Sequence, residues 1–258
     1  MSESGPAKIL VRADGTAIAY HRLPGRVPGV MFLGGFMSDM TGTKATALEA
    51  HCRRVGRAFV RFDYRGHGQS AGRFIDGTVG LWRDDALAVL DELTAGPQVL
   101  VGSSMGGWIM LLVALARPRR VAGLVGVAAA PDFVTRMWQD FTPEIRSRIE
   151  RDGVYHRPSQ YSDAPYAITR QLLAEGRQHL LLQAPVSIAC PVRLLHGMLD
   201  PDVPWRLSLE VAEKLSSDDV TVTLVKQGDH RMSEPADIAR LLAAVDELAE
   251  HPAAPPAA

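Results

Sequence analysis

Three side chains, Ser104, Asp200 and His230, are of the types that together make a nucleophilic hydrolytic site. A serine hydroxyl is a poor nucleophile at neutral pH unless a base accepts its proton, and the base needs a third group to fix its tautomer. The chain supplies a serine, a carboxylate and an imidazole in that order. The sequence therefore predicts acyl transfer through a covalent serine intermediate, provided that the fold brings the three together.

The serine is singled out by the stretch Gly-Ser-Ser-Met-Gly at residues 102–106. In a Gly-x-Ser-x-Gly turn between a strand and a helix, the central serine takes a strained backbone conformation, and the residues two before and two after it must be small. Apolar residues 98–101 predict the strand, and residues 105–117 predict the helix. The register selects Ser104 as the nucleophile, with Ser103 as the residue before it.

The acid and the base each follow a predicted late strand. Asp200 comes directly after the apolar stretch 190–197, and His230 comes after the stretch 220–226. An open α/β sheet gathers its site at the carboxyl ends of its parallel strands. We therefore predict that Asp200 orients His230, which acts as the general base.

Four other residues near these motifs also need an interpretation, two acids and two histidines. Asp202 and Asp229 compete with Asp200 for the role of the acid. His196, at a strand end, is interpreted as structural. His67, in the loop Arg-Gly-His-Gly, is interpreted as loop support behind the site.

A tetrahedral intermediate also needs hydrogen-bond donors for its oxyanion. The backbone N–H of Met105 lies at the start of the predicted elbow helix, where the helix dipole favours negative charge. The second donor is predicted to be the N–H of Phe36, which follows the glycines at positions 34 and 35 after another predicted strand.

The alternation of strand and helix patterns along the chain predicts an α/β fold, with a mostly parallel sheet covered by helices on both faces. An opening hairpin precedes this alternation. Residues 1–130 and 189–250 are predicted to form the core. Residues 131–188, which are too long for a loop, are predicted to form an inserted helical lid, and residues 251–258 a disordered tail.

The lid carries the side chains that the sequence offers for substrate binding. Met and aromatic residues of this segment are expected to line an acyl pocket, and its arginines are possible partners of an acidic leaving group. The predicted acyl-pocket residues are Met137, Trp138, Tyr155 and Tyr161, with Phe141 and Tyr166 as further candidates. The predicted basic residues are Arg136, Arg157 and Arg170.

Composition excludes several classes of function. The chain has 258 residues, 47% of them hydrophobic, and a formal net charge of −1, so nothing favours binding to nucleic acid. Its longest apolar run, residues 108–116, falls far short of the roughly 20 residues of a membrane span. Only Cys52 and Cys190 are present, without metal-ligand spacing, and no metal or organic cofactor is implied. The N-terminal residues lack signal-peptide and transit-peptide patterns, which predicts a cytoplasmic protein.

The motifs together carry a family resemblance. The elbow and the stretches FDYRGHGQS, LLHGMLDPDVPW and GDHRM resemble those of serine hydrolases of the α/β-hydrolase fold. More narrowly, FLGGFMSDMTGTKA, VGSSMGGW and RPSQY are similar to the family of mitochondrial palmitoyl-protein thioesterases that also cleave acyl glucuronides. The resemblance implies S-acyl and acyl-glucuronide substrates, including S-acylated proteins, and the same triad by position.

The predicted function is therefore a serine hydrolase that cleaves small-molecule carboxylic esters or thioesters. Two alternatives stay open at this stage. The same triad hydrolyses C–C bonds of ring-cleavage diketones in some enzymes, and the same fold also serves as a ligand receptor without catalysis. The oligomeric state is not indicated by the sequence.

Overall fold

Apolar, β-branched stretches form most of the strands in the computed structural model, which describes residues 5–158 and 165–250. In the described residues the strands are β1 (Lys8–Val11), β2 (Ala17–Leu23), β3 (Arg26–Leu33), β4 (Arg57–Phe62), β5 (Gln98–Ser103), β6 (Val121–Val127), β7 (Val154–Arg157), β8 (Tyr166–Thr169), β9 (Val192–Gly197) and β10 (Val220–Val225). The α-helices are α1 (Thr43–Arg54), α2 (Val79–Leu93), α3 (Met105–Ala116), α4 (Phe133–Asp140), α5 (Pro143–Asp152), α6 (Arg170–Gly176), α7 (Arg206–Lys214) and α8 (Pro235–Glu250).

Eight of these strands form one sheet in the order β1-β2-β4-β3-β5-β6-β9-β10. The pairs β1/β2 and β2/β4 are antiparallel, and the remaining neighbours run parallel. The predicted α/β class, with an opening hairpin and a mostly parallel sheet, is confirmed. Because β3, β5, β9 and β10 run in the same direction, the loops that follow them meet at one edge of the sheet.

Side-chain alternation along the central strands fills two separate hydrophobic layers. On β3, Met31 and Leu33 pack into the layer that contains α2 and α3, whereas Val30 and Phe32 pack into the layer that contains α1 and α8. This period of two is the strand geometry that allows helices to cover both faces of a sheet. The parallel strands are therefore buried on both sides, and the strand-end loops are held by a rigid base.

Between β6 and β9 lie α4, α5 and α6 together with a two-stranded antiparallel sheet of β7 and β8. None of these elements belongs to the eight-stranded sheet. The β7–β8 pair was not predicted, since the sequence predicts a helical lid for these residues. Each strand has only four residues, and no two-residue turn signal joins them. The lid boundaries at 131 and 188 remain a prediction.

Two predictions fall outside the described residues: the tail at 251–258 and the position of Tyr161. Among the residues that are described, no helix combines the length and the apolar character needed to cross a bilayer.

Candidate active site

The turn between β5 and α3 holds Ser104 in a strained conformation, with φ of 54° and ψ of −120°. A positive φ is uncommon for a residue with a side chain, and such strain persists only where the surroundings enforce it. A Cβ on Gly102 would overlap the Gly106 carbonyl, and a Cβ on Gly106 would overlap backbone atoms of Leu33. The two flanking glycines are thus required by close backbone approach, as the motif predicted.

Hydrogen bonds fix the backbone of this elbow on both sides. The N–H of Ser104 donates to the Val127 carbonyl at 2.9 Å, and the Ser104 carbonyl accepts from the N–H groups of Gly107 and Ala130 at 2.8 and 3.0 Å. Neighbouring strand β6 therefore helps to hold Ser104 at the strand edge.

The loops after β9 and β10 place a carboxylate against an imidazole. Asp200 Oδ2 lies 2.7 Å from Nδ1 of His230, and the Asp200 side chain is completely buried. Its other oxygen, Oδ1, accepts the backbone N–H groups of Asp202 and Val203, both at 2.8 Å. Burial alone would raise the pKa of Asp200, but hydrogen bonds from His196 and His230 outweigh it and hold that pKa well below its ordinary value.

An ionised Asp200 decides the tautomer of His230. Since the carboxylate is an acceptor only, the proton of His230 lies on Nδ1, so the lone pair of the neutral ring lies on Nε2, the nitrogen that acts as the base. Close packing of the two loops makes this contact possible. A Cβ on Gly197 would overlap the Gly228 backbone, and the N–H of Leu199 donates to the Gly228 carbonyl at 2.9 Å.

The rival acids are placed differently. Asp229 Oδ1 accepts the backbone N–H of Met232 at 2.9 Å and so caps its own turn. Asp202 lines the cavity beside His230, and one ligand atom from each of Asp200, Asp202 and His230 lies within 4.8 Å of the others. Three such groups can hold a metal ion, but the four lone-pair directions of Asp200 are already taken by hydrogen bonds. A metal would have to break that network.

Two backbone donors face the same cavity. Met105 opens α3, Phe36 lies in the loop after β3, and both line the cavity with Ser104. Within the described part of the chain neither backbone N–H donates a hydrogen bond. Gly35 lies so close that an added Cβ would sit 3.5 Å from the Ser104 Cβ. The loop thus brings the Phe36 peptide beside the serine, where unpaired N–H groups stabilise negative charge.

His67 supports this loop from behind. Its Nε2 accepts the backbone N–H of Met37 at 3.3 Å, and its Nδ1 lies 3.2 Å from the Arg65 carbonyl, so the proton is on Nδ1. Met37 has a φ of 54°, which this hydrogen bond helps to maintain. Burial lowers the pKa of His67 to about 4, so the ring stays neutral and remains an acceptor at neutral pH. The loop-support role is a consistent interpretation of this geometry.

The cavity above these groups has a volume of about 500 Å³ and two chemically different sides. Its apolar side is lined by Phe36, Phe133, Met137 and Tyr166. The Phe36 ring packs edge-on against Phe133 and Tyr166 at centroid distances of 5.7 and 5.8 Å. Its polar side carries Lys44 and Arg231, which are joined by a hydrogen bond, with Ser233 beside them. A further basic residue of the lining, Arg157, is the cross-strand partner of Tyr166.

Only some of the predicted substrate-binding residues lie in this cavity. Met137 lines it, whereas Trp138 and Tyr155 do not, which corrects those two predictions. Trp138 lies on the same helix one residue on, and cations of Arg146 and Arg177 lie 5.6 and 5.3 Å from its ring. Tyr155 packs edge-on against Phe141 at 5.6 Å. Both rings are used in packing within the lid segment.

The basic lining was only partly predicted. Arg157 lines the cavity, whereas Arg136 and Arg170 do not. Lys44 and Arg231 were missed, although Arg231 directly follows His230 and this adjacency was a usable signal. Lys44 Nζ donates to the Arg231 carbonyl at 2.5 Å, and burial together with the nearby Arg231 charge lowers the pKa of Lys44 to about 8. Lys44 lies in the cavity because of where α1 packs, and no local sequence pattern indicates that packing.

Comparison with known proteins identifies the family of this chain. The model of the alpha/beta hydrolase family matches residues 27–244. The mouse protein named palmitoyl-protein thioesterase ABHD10, mitochondrial, is 47% identical over 240 residues, which are 93% of this chain and 81% of that protein. The structure of alpha/beta hydrolase domain-containing protein 10 from mouse superposes with a TM-score of 0.89 at 45% identity, covering 95% of this chain and 98% of that one. A protein from Agrobacterium vitis S4 gives a TM-score of 0.90 at 38% identity, with 95% and 100% covered.

One prediction is overturned by the comparison. The cytoplasmic location inferred from the N-terminal residues is wrong, because a relative 47% identical over 240 residues is named as a mitochondrial protein. The composition of a short terminal stretch is weaker evidence of location than similarity over nearly the whole chain.

The predicted class of enzyme is confirmed. The family match spans the elbow and the loops that carry Asp200 and His230, and the solved mouse structure shares the fold over 98% of its chain. This chain is a hydrolytic enzyme of the alpha/beta hydrolase family.

Proposed function

We propose that the protein hydrolyses carboxylic thioesters and esters through an acyl-enzyme formed on Ser104. The observation that carries this proposal is the 2.7 Å contact between His230 Nδ1 and the buried Asp200, beside a cavity that Ser104 also lines. A carboxylate-bound imidazole next to a serine held at positive φ is the arrangement used for nucleophilic acyl transfer.

In the first half-reaction the Ser104 hydroxyl attacks the acyl carbonyl while His230 Nε2 accepts its proton. Asp200 stabilises the imidazolium through Nδ1 without taking the proton. The N–H groups of Met105 and Phe36 hold the oxyanion as the tetrahedral intermediate forms. Collapse of the intermediate breaks the bond to the leaving group, and His230 Nε2 gives its proton to the departing oxygen or sulfur, which restores the neutral imidazole.

In the second half-reaction a water molecule takes the place of the leaving group. His230 Nε2 accepts a proton from this water, the hydroxide attacks the acyl-enzyme, and the returned proton restores the Ser104 hydroxyl. A thiolate, with an ordinary thiol pKa of about 8.5, leaves more readily than an alkoxide. The triad itself therefore does not discriminate against thioesters, and the choice of substrate depends on the cavity.

The apolar side of the cavity suits the acyl chain. Phe36, Phe133, Met137 and Tyr166 offer aromatic and thioether surface against which methylene groups can be buried. The name of the mouse relative, a palmitoyl-protein thioesterase, supports long-chain thioesters of S-acylated peptides or proteins as substrates.

The polar side suits a hydrophilic and anionic leaving group. Lys44 and Arg231 line it, and Arg157 lines the same cavity next to Tyr166. Within the described residues the guanidinium groups of Arg157 and Arg231 form no salt bridge with a carboxylate. These cations support acyl glucuronides, whose leaving group carries both hydroxyls and a carboxylate, as a second class of substrate.

The test compares three forms of one acid. Wild-type protein is assayed with the p-nitrophenyl ester, the S-acyl cysteine peptide and the acyl glucuronide of octanoic acid, and we expect turnover of all three. Hydrolysis of the oxyester alone would reject the thioester and glucuronide parts. Turnover of a ring-cleavage diketone with no activity on any ester would replace the proposal with C–C bond hydrolysis.

The leaving-group side has its own test. Lys44→Gln and Arg231→Gln are expected to lower kcat/KM for the glucuronide about 10-fold, the size of one partly exposed charge interaction, while the p-nitrophenyl ester is little affected. Arg136→Gln, on the same lid as Arg157 but outside the cavity, is the matched control.

A pH dependence accompanies these variants. Because Lys44 is charged below its pKa of about 8, wild-type kcat/KM for the glucuronide relative to the ester should fall as the pH rises from 7 to 9. The Lys44→Gln variant should lose this dependence. An unchanged ratio in both proteins would remove Lys44 from the leaving-group site.

A further inference from the structure

A second histidine, His196, contacts the same oxygen of the Asp200 carboxylate that binds His230. Nε2 of His196 is 3.1 Å from Asp200 Oδ2 and 3.1 Å from the Val203 carbonyl oxygen. Nδ1 of His196 is 2.7 Å from the hydroxyl of Ser208, which lies in the first turn of α7. His196 is completely buried and Ser208 is 1% exposed.

This geometry fixes where the His196 proton lies. Both neighbours of Nε2 are oxygens that only accept, so Nε2 must carry a proton, since its lone pair would otherwise face two other lone pairs in a buried site. The Ser208 hydroxyl is able to donate to Nδ1 on the opposite edge of the ring. His196 therefore points a fixed N–H at the same carboxylate oxygen that binds His230.

We propose that His196, held by Ser208, is a positioning residue that fixes the Asp200 carboxylate for its work on His230. This inference rests on the proposed function, in which Asp200 orients the base. The sequence suggested only a structural histidine at this position, and the structure gives it a defined partner in the site.

The physical reason lies in how Asp200 is held. The two N–H groups of Asp202 and Val203 hold Oδ1, whereas Oδ2 is contacted by the two imidazoles. His230 is 15% exposed and must change its protonation state in each cycle, so it is a poor anchor. His196 supplies a permanent second donor to Oδ2 that prevents rotation of the carboxylate about its Cβ–Cγ bond.

The first measurement uses wild-type protein and does not depend on catalysis. With ¹⁵N-labelled histidine, NMR spectra at pH 7.5 report which ring nitrogens carry protons, and His196→Gln assigns the His196 signals by their loss. We expect a proton on Nε2 of His196. An unprotonated Nε2 would overturn the inference, because no hydrogen bond to Asp200 would then exist.

The second measurement uses a matched pair of amides. The His196→Gln side chain reaches the position of Nε2 and presents an N–H donor to Asp200, whereas His196→Asn ends near Nδ1 and does not. We expect His196→Asn to lower kcat on the p-nitrophenyl ester about 10- to 100-fold with KM within about twofold, which is the effect of one hydrogen bond to a charged group. His196→Gln should recover most of the loss.

The outcomes separate the possible failures. Equal losses of kcat in the two variants would mean that His196 acts only by filling space. A wild-type kcat in His196→Asn would mean that Asp200 needs no second donor. Either result overturns the inference. If His196→Asn does not fold, as shown by circular dichroism, the NMR result decides. Absence of esterase activity and of fluorophosphonate labelling in the wild-type protein would instead reject the proposed function and leave the NMR test of His196 valid.

Discussion

The strand-end loops and the lid segment contribute to one cavity, but they are held in different ways. In the loops, buried polar side chains bind backbone groups: Asp63, 1% exposed, accepts the N–H groups of Met40 and Gln69 at 2.7 and 2.8 Å. The cavity-lining residues of the lid, Met137 and Tyr166, are only half-buried. The residues proposed for catalysis, whose positions must be accurate to a few tenths of an ångström, lie in the strand-end loops.

The comparison separates two kinds of residue. A loop residue such as Asp200 has its position fixed by several hydrogen bonds, so changing it should alter kcat for every substrate. A lid residue such as Met137 contributes apolar surface, so changing it should alter selectivity among substrates. The expected effects therefore differ in size and in kind.

The largest effect should come from the elbow. Ser104→Ala is expected to lower kcat on the order of 10⁶-fold, because without the hydroxyl no acyl-enzyme forms. Ser103→Ala should keep a substantial part of the activity, since only the central residue of the turn is presented to the substrate. Labelling with a fluorophosphonate probe and ester hydrolysis are measured on both variants. An active Ser104→Ala with an inactive Ser103→Ala would shift the elbow by one residue.

The acid should give the second largest effect. Asp200→Asn is expected to lower kcat about 10⁴-fold, as an amide in this position favours the wrong tautomer of the base. Asp202→Asn is the control from the same loop, and its loss should be far smaller because its backbone N–H, which binds Asp200, is retained. Steady-state kinetics on one ester decides this, with circular dichroism to show that both fold. Equal losses would leave the acid unassigned.

These loop residues were also the predictable ones. Gly102 and Gly106 flank the serine because close backbone contacts exclude a Cβ, and such a steric requirement is visible in a sequence. The order Ser104, Asp200, His230 follows from strand alternation in the same way. Lys44 was not predictable, because its place in the cavity depends on how α1 packs against the loop that carries Arg231.

The lid was predicted less well for a physical reason. Met137 and Trp138 are adjacent on α4, and both side chains are apolar. Adjacent residues of a helix point in different directions, so only one of the two can face the cavity. Composition alone could not tell that Met137 lines the cavity while Trp138 lies near Arg146 and Arg177. The β7–β8 pair is formed by backbone pairing of two four-residue strands, and strands this short leave little periodic pattern in the sequence.

The third prediction tests the rigidity of the loops through pH. Burial lowers the pKa of His67 from an ordinary 6.5 to about 4. Between these values the unfolded chain binds a proton that the native state does not, so stability is lost as the pH falls from 6.5 towards 4. From pH 7 to pH 4.5 this loss is about 2 kcal/mol.

Urea unfolding at the two pH values measures the loss, and His67→Gln is the matched variant. A glutamine retains an acceptor for the Met37 N–H but does not titrate, so its stability should fall by about 2 kcal/mol less than that of the wild type over the same range. Parallel losses in the two proteins would mean that His67 is not the group responsible and that other groups titrate on unfolding.

The smallest effect should come from the lid. Met137 lines the apolar side of the cavity but is only half-buried, so Met137→Ala removes part of the surface available to a long acyl chain and leaves the triad untouched. Each methylene that loses its contact costs up to about 0.8 kcal/mol, and partial burial reduces this, so kcat/KM for a p-nitrophenyl palmitate should fall about fivefold. The acetate, which does not reach Met137, should be hydrolysed as by the wild type. Gln139→Ala, exposed on the same helix, controls for loss of helix stability. A matching fall on acetate would mean that α4 acts on the strand-end loops, and the division between the two regions would then not hold.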